Sequence, residues 1–433
     1  MNYFSTNHLS PAVNFKTATI NGLAPDKGLY FPEEVPAIDS AFFKDINSYS
    51  KEEIALRMIA PYVGDEIPRA ELKKIVSETV DFDFPLVHVH DDIFSLELFH
   101  GPTLAFKDVG ARFLSRCLGY FVKNNNRKIT VLVATSGDTG GAVANGFYGI
   151  PGIDVVILYP SGKVSNLQEV QLTTLGNNIH ALEVAGTFDD CQRLVKQAFV
   201  DAELKQDLFL TSANSINIAR WLSQQFYYAF AWQQWPDKSH PPVISVPSGN
   251  LGNLCAGLLA HRSGLPVAHF IAACNANNAF TQYLDTRNYQ SKPTLATISN
   301  AMDVGDPSNF VRILQMYEQR FEPLAAVVSS ESITDEQTKE TLLQLYTDYG
   351  YLMDPHGAVA YRALKNCLAN DGGGGGIFLE TAHPIKFNEV IEPLIQKTLP
   401  VPDAIGNLLD REKQKVKIDA DYKLLVDFLR SIK

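Results

Sequence analysis

The chain has 433 residues, of which 45% are hydrophobic and 20% charged, the balance of a globular protein long enough for two or three domains. A formal net charge of −11 argues against a nucleic-acid binder, which needs clustered Lys and Arg, yet allows one locally positive pocket for a small anion. The five cysteines (Cys117, Cys191, Cys255, Cys274 and Cys367) are scattered and form no C-x-x-C pair, so they read as reduced thiols and no metal is expected.

In chain order, the opening "MNYFSTNHLSPAVNF" lacks the basic and apolar regions of a secretory leader. No apolar run nears the roughly 20 residues of a membrane span, so a cytoplasmic protein with no membrane partner is expected. Residues 1–90 read as an α-rich accessory region, with helical patterning from about Ser50 to Val80. "DIFSLELFHG" alternates as a strand ending at Gly101. After a Gly-Pro turn, apolar residues at Val109, Phe113, Leu114, Cys117, Leu118 and Phe121 keep helical spacing, which puts Lys107 at the mouth of a helix.

Ile129 to Ala134 is a buried-type strand, "TSGDTGG" a turn, and a helix resumes at Ala142. "DVVILYP", "NIHALEV", "PPVISVP" and "VAHFIAACN" are further strands, alternating with helical stretches such as "FDDCQRLVKQAF". That alternation predicts an α/β fold with doubly wound, mostly parallel sheets in two domains that form a crevice. The smaller part is expected over 91–240 and the larger over 241–433. "GGGGG" reads as a flexible loop into a strand from Ile377 to Glu380, and the tail after Val401 as two short amphipathic helices.

Ligands of open α/β sheets bind beyond the carboxyl ends of the strands. Three segments take that position: "TSGDTGG", "PSGNLGN" and "ETAHP". The glycines of "VPSGNLGN" let amides converge on an anion at a helix N-terminus, and a tight structural turn explains them about as well. "TSGDTGG" combines hydroxyls at Thr135, Ser136 and Thr139 with amides freed by Gly137, Gly140 and Gly141; it suits a carboxylate or phosphate, or simply caps its own helix. A desolvated lysine beside such positive potential is an available amine nucleophile. Amine, phosphate cradle and carboxylate cradle together suggest a Schiff base with pyridoxal phosphate.

Seven segments in order, "LFHGPTLAFKD", "TSGDTGGAVA", "ILYPSGKVSNLQE", "SANSINIAR", "VPSGNLGN", "SNAMDVGDPSNF" and "TAHPIKF", resemble the successive motifs of the threonine synthase family. The likeness runs from "GLAPDKGLYFP" to the end of the chain. It implies the tryptophan-synthase-β-like fold and the conversion of O-phospho-L-homoserine and water into L-threonine and phosphate. It implies that Lys107 is the Schiff-base lysine and that Ser248, Gly249, Asn250, Leu251, Gly252 and Asn253 hold the cofactor phosphate. Family members often carry Thr and Phe where this chain has Ser248 and Leu251, which keeps a hydroxyl and an apolar side chain. Thr381 matches a residue near the pyridine nitrogen. Asp138 stands where the wider fold type often has an Asn contacting the ring oxygen, so its own partner is left open.

By the same resemblance, Thr135, Ser136, Gly137 and Thr139 receive the substrate carboxylate. Lys163 and Arg220 are the candidate cations for the substrate phosphate, with Asn214, Ser215 and Asn217 as neutral donors. His100 and His383 read as structural hydrogen-bonding residues. A monomer or homodimer is implied. A phospho-lyase on the same scaffold, or a non-catalytic sensor of amino acids, would share these motifs.

Overall fold

A computed structural model describes residues 1–123, 128–370 and 374–432. The chain forms two compact units, each built on its own sheet.

One unit comprises residues 2–31, 107–220 and 401–433. Its sheet has five parallel strands in the order Val416–Asp419, Ile179–Ala185, Ile153–Pro160, Ile129–Ala134 and Phe209–Ser212. Every residue of Ile129–Ala134 and Ile153–Pro160 is buried. Parallel strands covered on both faces require such unbroken apolar runs, which is why these two were easy to read from the sequence. Leu132, Val156, Leu182 and Leu194 form a core with Leu425 and Leu429 of the last helix, Tyr422–Ser431.

The other unit holds residues 32–106 and 221–400. Its six strands run in the order Val328–Ser332, His269–Cys274, Val243–Pro247, Gly376–Glu380, Ile93–Glu97 and Leu86–His90. All pair in parallel except the edge strand Leu86–His90. Helix Pro355–Asn370 covers this sheet through Ala358, Val359 and Leu364, against Ile271, Ala273 and Phe378.

Several expected boundaries differ. The units are not the consecutive spans 1–90, 91–240 and 241–433, because the chain passes between the two sheets repeatedly. Residues 2–31 join the five-stranded unit, where helix Phe15–Asn21 packs on helix Lys107–Val122 and the Asn217 amide group donates to the Thr19 carbonyl at 2.9 Å. The first 90 residues also include short strands at Asn2–Ser5 and Val13–Asn14. Helix Gln225–Gln234 belongs to the six-stranded unit, where it packs on helices Lys51–Val63 and Gly252–Arg262. Local hydrophobic periodicity says nothing about which sheet a segment joins.

The strand read as reaching Gly101 ends at Glu97, where its partner strand also ends, at Glu380. The helix expected from Ala142 starts at Asp138. Of the glycine run, Gly372 and Gly373 lie outside the described residues, and Gly376 begins a strand. The tail has the helices Asp403–Leu409 and Tyr422–Ser431 with a strand, Val416–Asp419, between them. Charged residues hid that strand: Lys417 within it lies 3.7 Å from Glu183, and Lys415 just before it sits 2.6 Å from Glu169 and 2.8 Å from Glu183. Burial would push the Glu169 carboxyl up, but Lys413 and Lys415 outweigh it and hold it at about 2.

Candidate active site

Lys107 is the first residue of helix Lys107–Val122, and the segment that delivers it is pinned by four contacts. Leu104 adopts the left-handed region, φ 57°, which turns the chain inward after the Gly-Pro pair. Ala105 bridges to Ala382, and the Phe106 amide donates to the Thr381 carbonyl at 2.9 Å. The Tyr227 hydroxyl donates to the Phe106 carbonyl, and Lys386, itself buried, donates to the Thr103 carbonyl at 2.9 Å. The residue just before Lys107 is thereby held from both sides. The backbone leading into Lys107 is fixed by these contacts, and the amine extends from it on a four-carbon stem.

Within the five-stranded unit, the Lys107 ammonium lies 3.8 Å from the Asp138 carboxylate, with side-chain exposures of 15% and 2%. Asp138 opens helix Asp138–Phe147, capped by Gly137 at φ 140°, a conformation that L side chains rarely adopt. The Thr135 hydroxyl accepts from the amides of Gly137 at 3.0 Å and Gly140 at 2.8 Å. Thr135 therefore caps and shapes the turn, while Ser136 and Thr139 beside it are half-buried.

Gln168 is a residue that the sequence reading passed over. Its side chain forms a capping box with Ser165 and donates to Asp138 Oδ1 at 3.0 Å. The spacing Ser165-x-x-Gln168 was a legible helix-start signal inside "SNLQE". Gln168→Ala removes a cap and leaves a buried carboxylate oxygen short of a donor. Denaturant unfolding is expected to show a loss of about 1–3 kcal/mol.

The proposed phosphate cations differ in setting. Lys163 is exposed. Arg220 is buried, donates to the Ala213 carbonyl, and lies where a Cβ on Gly110 would come within 2.9 Å of its Cγ. The Asn214 side chain donates to the Ala134 carbonyl at 3.2 Å. Asn217 is fully buried and engaged with backbone carbonyls, including those of Thr19 and Ser212, so it braces the fold. Ser215 is half-buried.

Within the six-stranded unit, Ser248 to Asn253 link strand Val243–Pro247 to helix Gly252–Arg262. Leu251 takes the left-handed region, φ 58°, and the first-turn amides of the helix have no intrahelical acceptor. The turn is clamped at several points. Asn253 donates to the Pro247 carbonyl at 2.8 Å, and its own carbonyl accepts from Tyr228 at 2.7 Å. Asn250 accepts the Ser308 amide at 2.5 Å and, through its carbonyl, the Asn309 side chain at 3.0 Å. A Cβ on Gly249 would lie 2.6 Å from Met302 Cα. The motif "SNAMDVGDPSNF" is therefore the backing of this turn.

Thr381 is buried at the end of strand Gly376–Glu380. The three expected segments all follow the carboxyl ends of parallel strands. His383 is half-buried; its Nδ1 accepts the Ile385 amide, and burial together with His100 lowers its pKa to about 4. His100 bonds to Glu97 at 2.7 Å. Beneath them, burial pushes the Glu380 carboxyl well above the usual range, and Asp354 adds to that push.

A raised folded-state pKa means that stability is lost as pH climbs above the ordinary carboxyl value of 4.5. Glu380→Gln keeps the acceptor for the Asp354 amide, now 2.6 Å away, but has no proton to lose. The variant is expected to gain thermal midpoint over the parent, with a gap that widens from pH 5 to pH 8. A gap independent of pH would contradict the neutral-acid assignment.

Among the described residues, no group of three or more His, Cys, Asp or Glu could hold a metal ion, and no helix is long and apolar enough to cross a membrane. Residues 86–378 match the family described as "Pyridoxal-phosphate dependent enzyme". Residues 2–80 match "Threonine synthase N terminus" and 357–429 match "Threonine synthase, C-terminal". The chain is 43% identical to a threonine synthase of Haemophilus influenzae over 99% of both chains. The crystal structure of a threonine synthase from Escherichia coli superposes with a TM-score of 0.94 at 41% identity and covers 100% of both chains. A threonine synthase from Brucella melitensis, solved with pyridoxal phosphate bound, superposes at 0.91 with 34% identity, covering 100% of this chain and 99% of that one.

Proposed function

The chain belongs to the threonine synthase family of pyridoxal-phosphate-dependent enzymes, and from that premise we propose that it converts O-phospho-L-homoserine and water into L-threonine and phosphate. The observation that carries the reading is Lys107: a largely buried amine at a helix start, delivered by a pinned backbone and 3.8 Å from a buried carboxylate. The residues fit the cofactor. A helix N-terminus preceded by a left-handed Leu251 offers amides suited to a phosphate, and a buried amine suits an aldehyde.

With pyridoxal phosphate bound, Lys107 would carry its aldehyde and Ser248 to Asn253 would hold its phosphate. Thr381, a buried hydroxyl at the end of strand Gly376–Glu380, would meet the cofactor's ring nitrogen and leave it less protonated than a carboxylate would. The bound cofactor supplies an electron sink for the substrate α-carbon. The reaction breaks the Cγ–O bond to phosphate and forms a Cβ–O bond from water, so protons must move at Cα, Cβ and Cγ. Lys107 Nζ removes the α-proton and serves as the general base. Asp138 holds that amine in place, and Gln168 holds Asp138.

Ser136 and Thr139, on the turn that Thr135 shapes at Gly137, take the substrate α-carboxylate. Arg220 and Lys163 take its phosphate, with Asn214 as a neutral donor. The substrate is a small molecule; the protein acts in the cytoplasm as a monomer or homodimer. The deciding assay incubates the purified protein and cofactor with O-phospho-L-homoserine and quantifies four products. Threonine and phosphate in equal amounts are expected; keto acid and ammonia in place of threonine, with phosphate released all the same, would overturn the reading.

A further inference from the structure

Asp354 and His356 are almost wholly inaccessible, at 0% and 1% exposure, and they belong to none of the motifs discussed above. They stand at the start of helix Pro355–Asn370, which covers the six-stranded sheet. Asp354 Oδ1 accepts from the His356 amide at 2.7 Å and bonds His356 Nδ1. Its Oδ2 accepts the amide of Ala382 at 3.1 Å. His356 Nε2 faces the Ala301 amide at 3.1 Å. An amide can only donate, so Nε2 holds the lone pair and Nδ1 carries the proton that goes to Asp354. The Phe387 ring, edge-on at 4.9 Å, fixes the imidazole plane.

Both targets of this pair are chosen places. Ala301 precedes Met302, whose backbone abuts Gly249, in the loop whose Ser308 and Asn309 clamp Asn250. Ala382 follows Thr381, whose carbonyl holds the Phe106 amide. One carboxylate is therefore linked through His356 to the backing of the Ser248–Asn253 turn and directly to the residue after Thr381.

We propose that Asp354, acting through His356, is a positioning residue that sets the phosphate-holding turn and Thr381 in mutual register. The proposal rests on the cofactor roles given to those two segments under the proposed function.

An amide cannot replace this carboxylate. Both oxygens of Asp354 accept, whereas Asn has one acceptor and one donor, so an NH2 group must confront either Ala382 or the His356 amide. If the imidazole changed tautomer to receive that NH2 at Nδ1, its Nε2–H would confront Ala301. Each arrangement breaks one of the two links.

The test titrates pyridoxal phosphate into the apoproteins of the parent, Asp354→Asn, His356→Leu and His356→Gln, and records thermal midpoints without cofactor. Asp354→Asn and His356→Leu are expected to bind roughly 10- to 100-fold more weakly, the range for a lost hydrogen bond to a charged group. His356→Gln, whose side chain accepts from Ala301 and donates to Asp354, is expected to bind within about 3-fold of the parent, keeping both links. A merely structural role would lower the midpoints and leave the affinities unchanged, which would overturn the proposal. Should Asp354→Asn not fold, equal affinity in His356→Leu and His356→Gln overturns it equally. Nitrogen-15 shifts of His356 in the apoprotein supply a readout independent of the cofactor, and a protonated Nε2 there also overturns the proposal. Failure of the parent to bind pyridoxal phosphate would instead sink the functional reading beneath it.

Discussion

Lys107→Ala is expected to lower turnover of O-phospho-L-homoserine by about 10³-fold or more and to leave no pyridoxyl group at position 107 after borohydride reduction. Two contributions vanish together in this variant, the attachment point of the cofactor and the base at the substrate α-carbon. A general base alone is worth roughly 10²–10⁴ in rate. The ion pair with Asp138 is a separate contribution: its 3.8 Å separation is long, and losing it leaves a buried carboxylate without that cation, a cost read in folding stability and not in chemistry. Lys107→Arg separates the two explanations. It keeps a cation facing Asp138 but has no amine that forms a bond to an aldehyde at neutral pH. Peptide mapping after reduction and steady-state rates for both variants decide the matter. Substantial turnover in Lys107→Ala, or a pyridoxyl group mapped to another lysine, would remove Lys107 from the chemistry.

The sequence revealed the chemistry-bearing segments because each is local. A buried parallel strand such as Ile129–Ala134 is an unbroken apolar run, and the glycine turns that follow the strands announce themselves by composition. What holds those segments was not legible. Tyr227 reaches Phe106 across 121 positions, and the Ser308 amide reaches Asn250 across 58. Asp354 and His356 sit in "DPHGAVAYRAL", which reads as an ordinary helix start. Nothing in that stretch says that its carboxylate faces Ala382 and its imidazole Ala301. Likewise, the passage of residues 2–31 into the five-stranded unit is a long-range event that leaves no periodic trace. Gln168 is the intermediate case: the cap was legible, and its second bond to Asp138 was not.

The clamped turn makes the other large effect. In Gly249→Ala a new Cβ would lie 2.6 Å from Met302 Cα and 3.1 Å from Met302 C and O, all of them backbone atoms. The neighbour cannot yield easily, because the Met302 amide is bonded to the Ser299 carbonyl and the Ala301 amide to His356. The turn itself must then move, carrying the amides between Ser248 and Asn253 out of place by several tenths of an ångström. Cofactor affinity is expected to fall by about 10²-fold, as positional errors near 1 Å cost in comparable sites, with about 1–3 kcal/mol of stability lost to overpacking. Gly406→Ala is the control. Gly406 lies within helix Asp403–Leu409, and a Cβ there meets nothing within 4 Å. It is expected to leave affinity unchanged and to gain about 0.5–1 kcal/mol from helix propensity alone. Equal cofactor affinity in the two alanine variants would mean that the Ser248–Asn253 turn does not carry the phosphate.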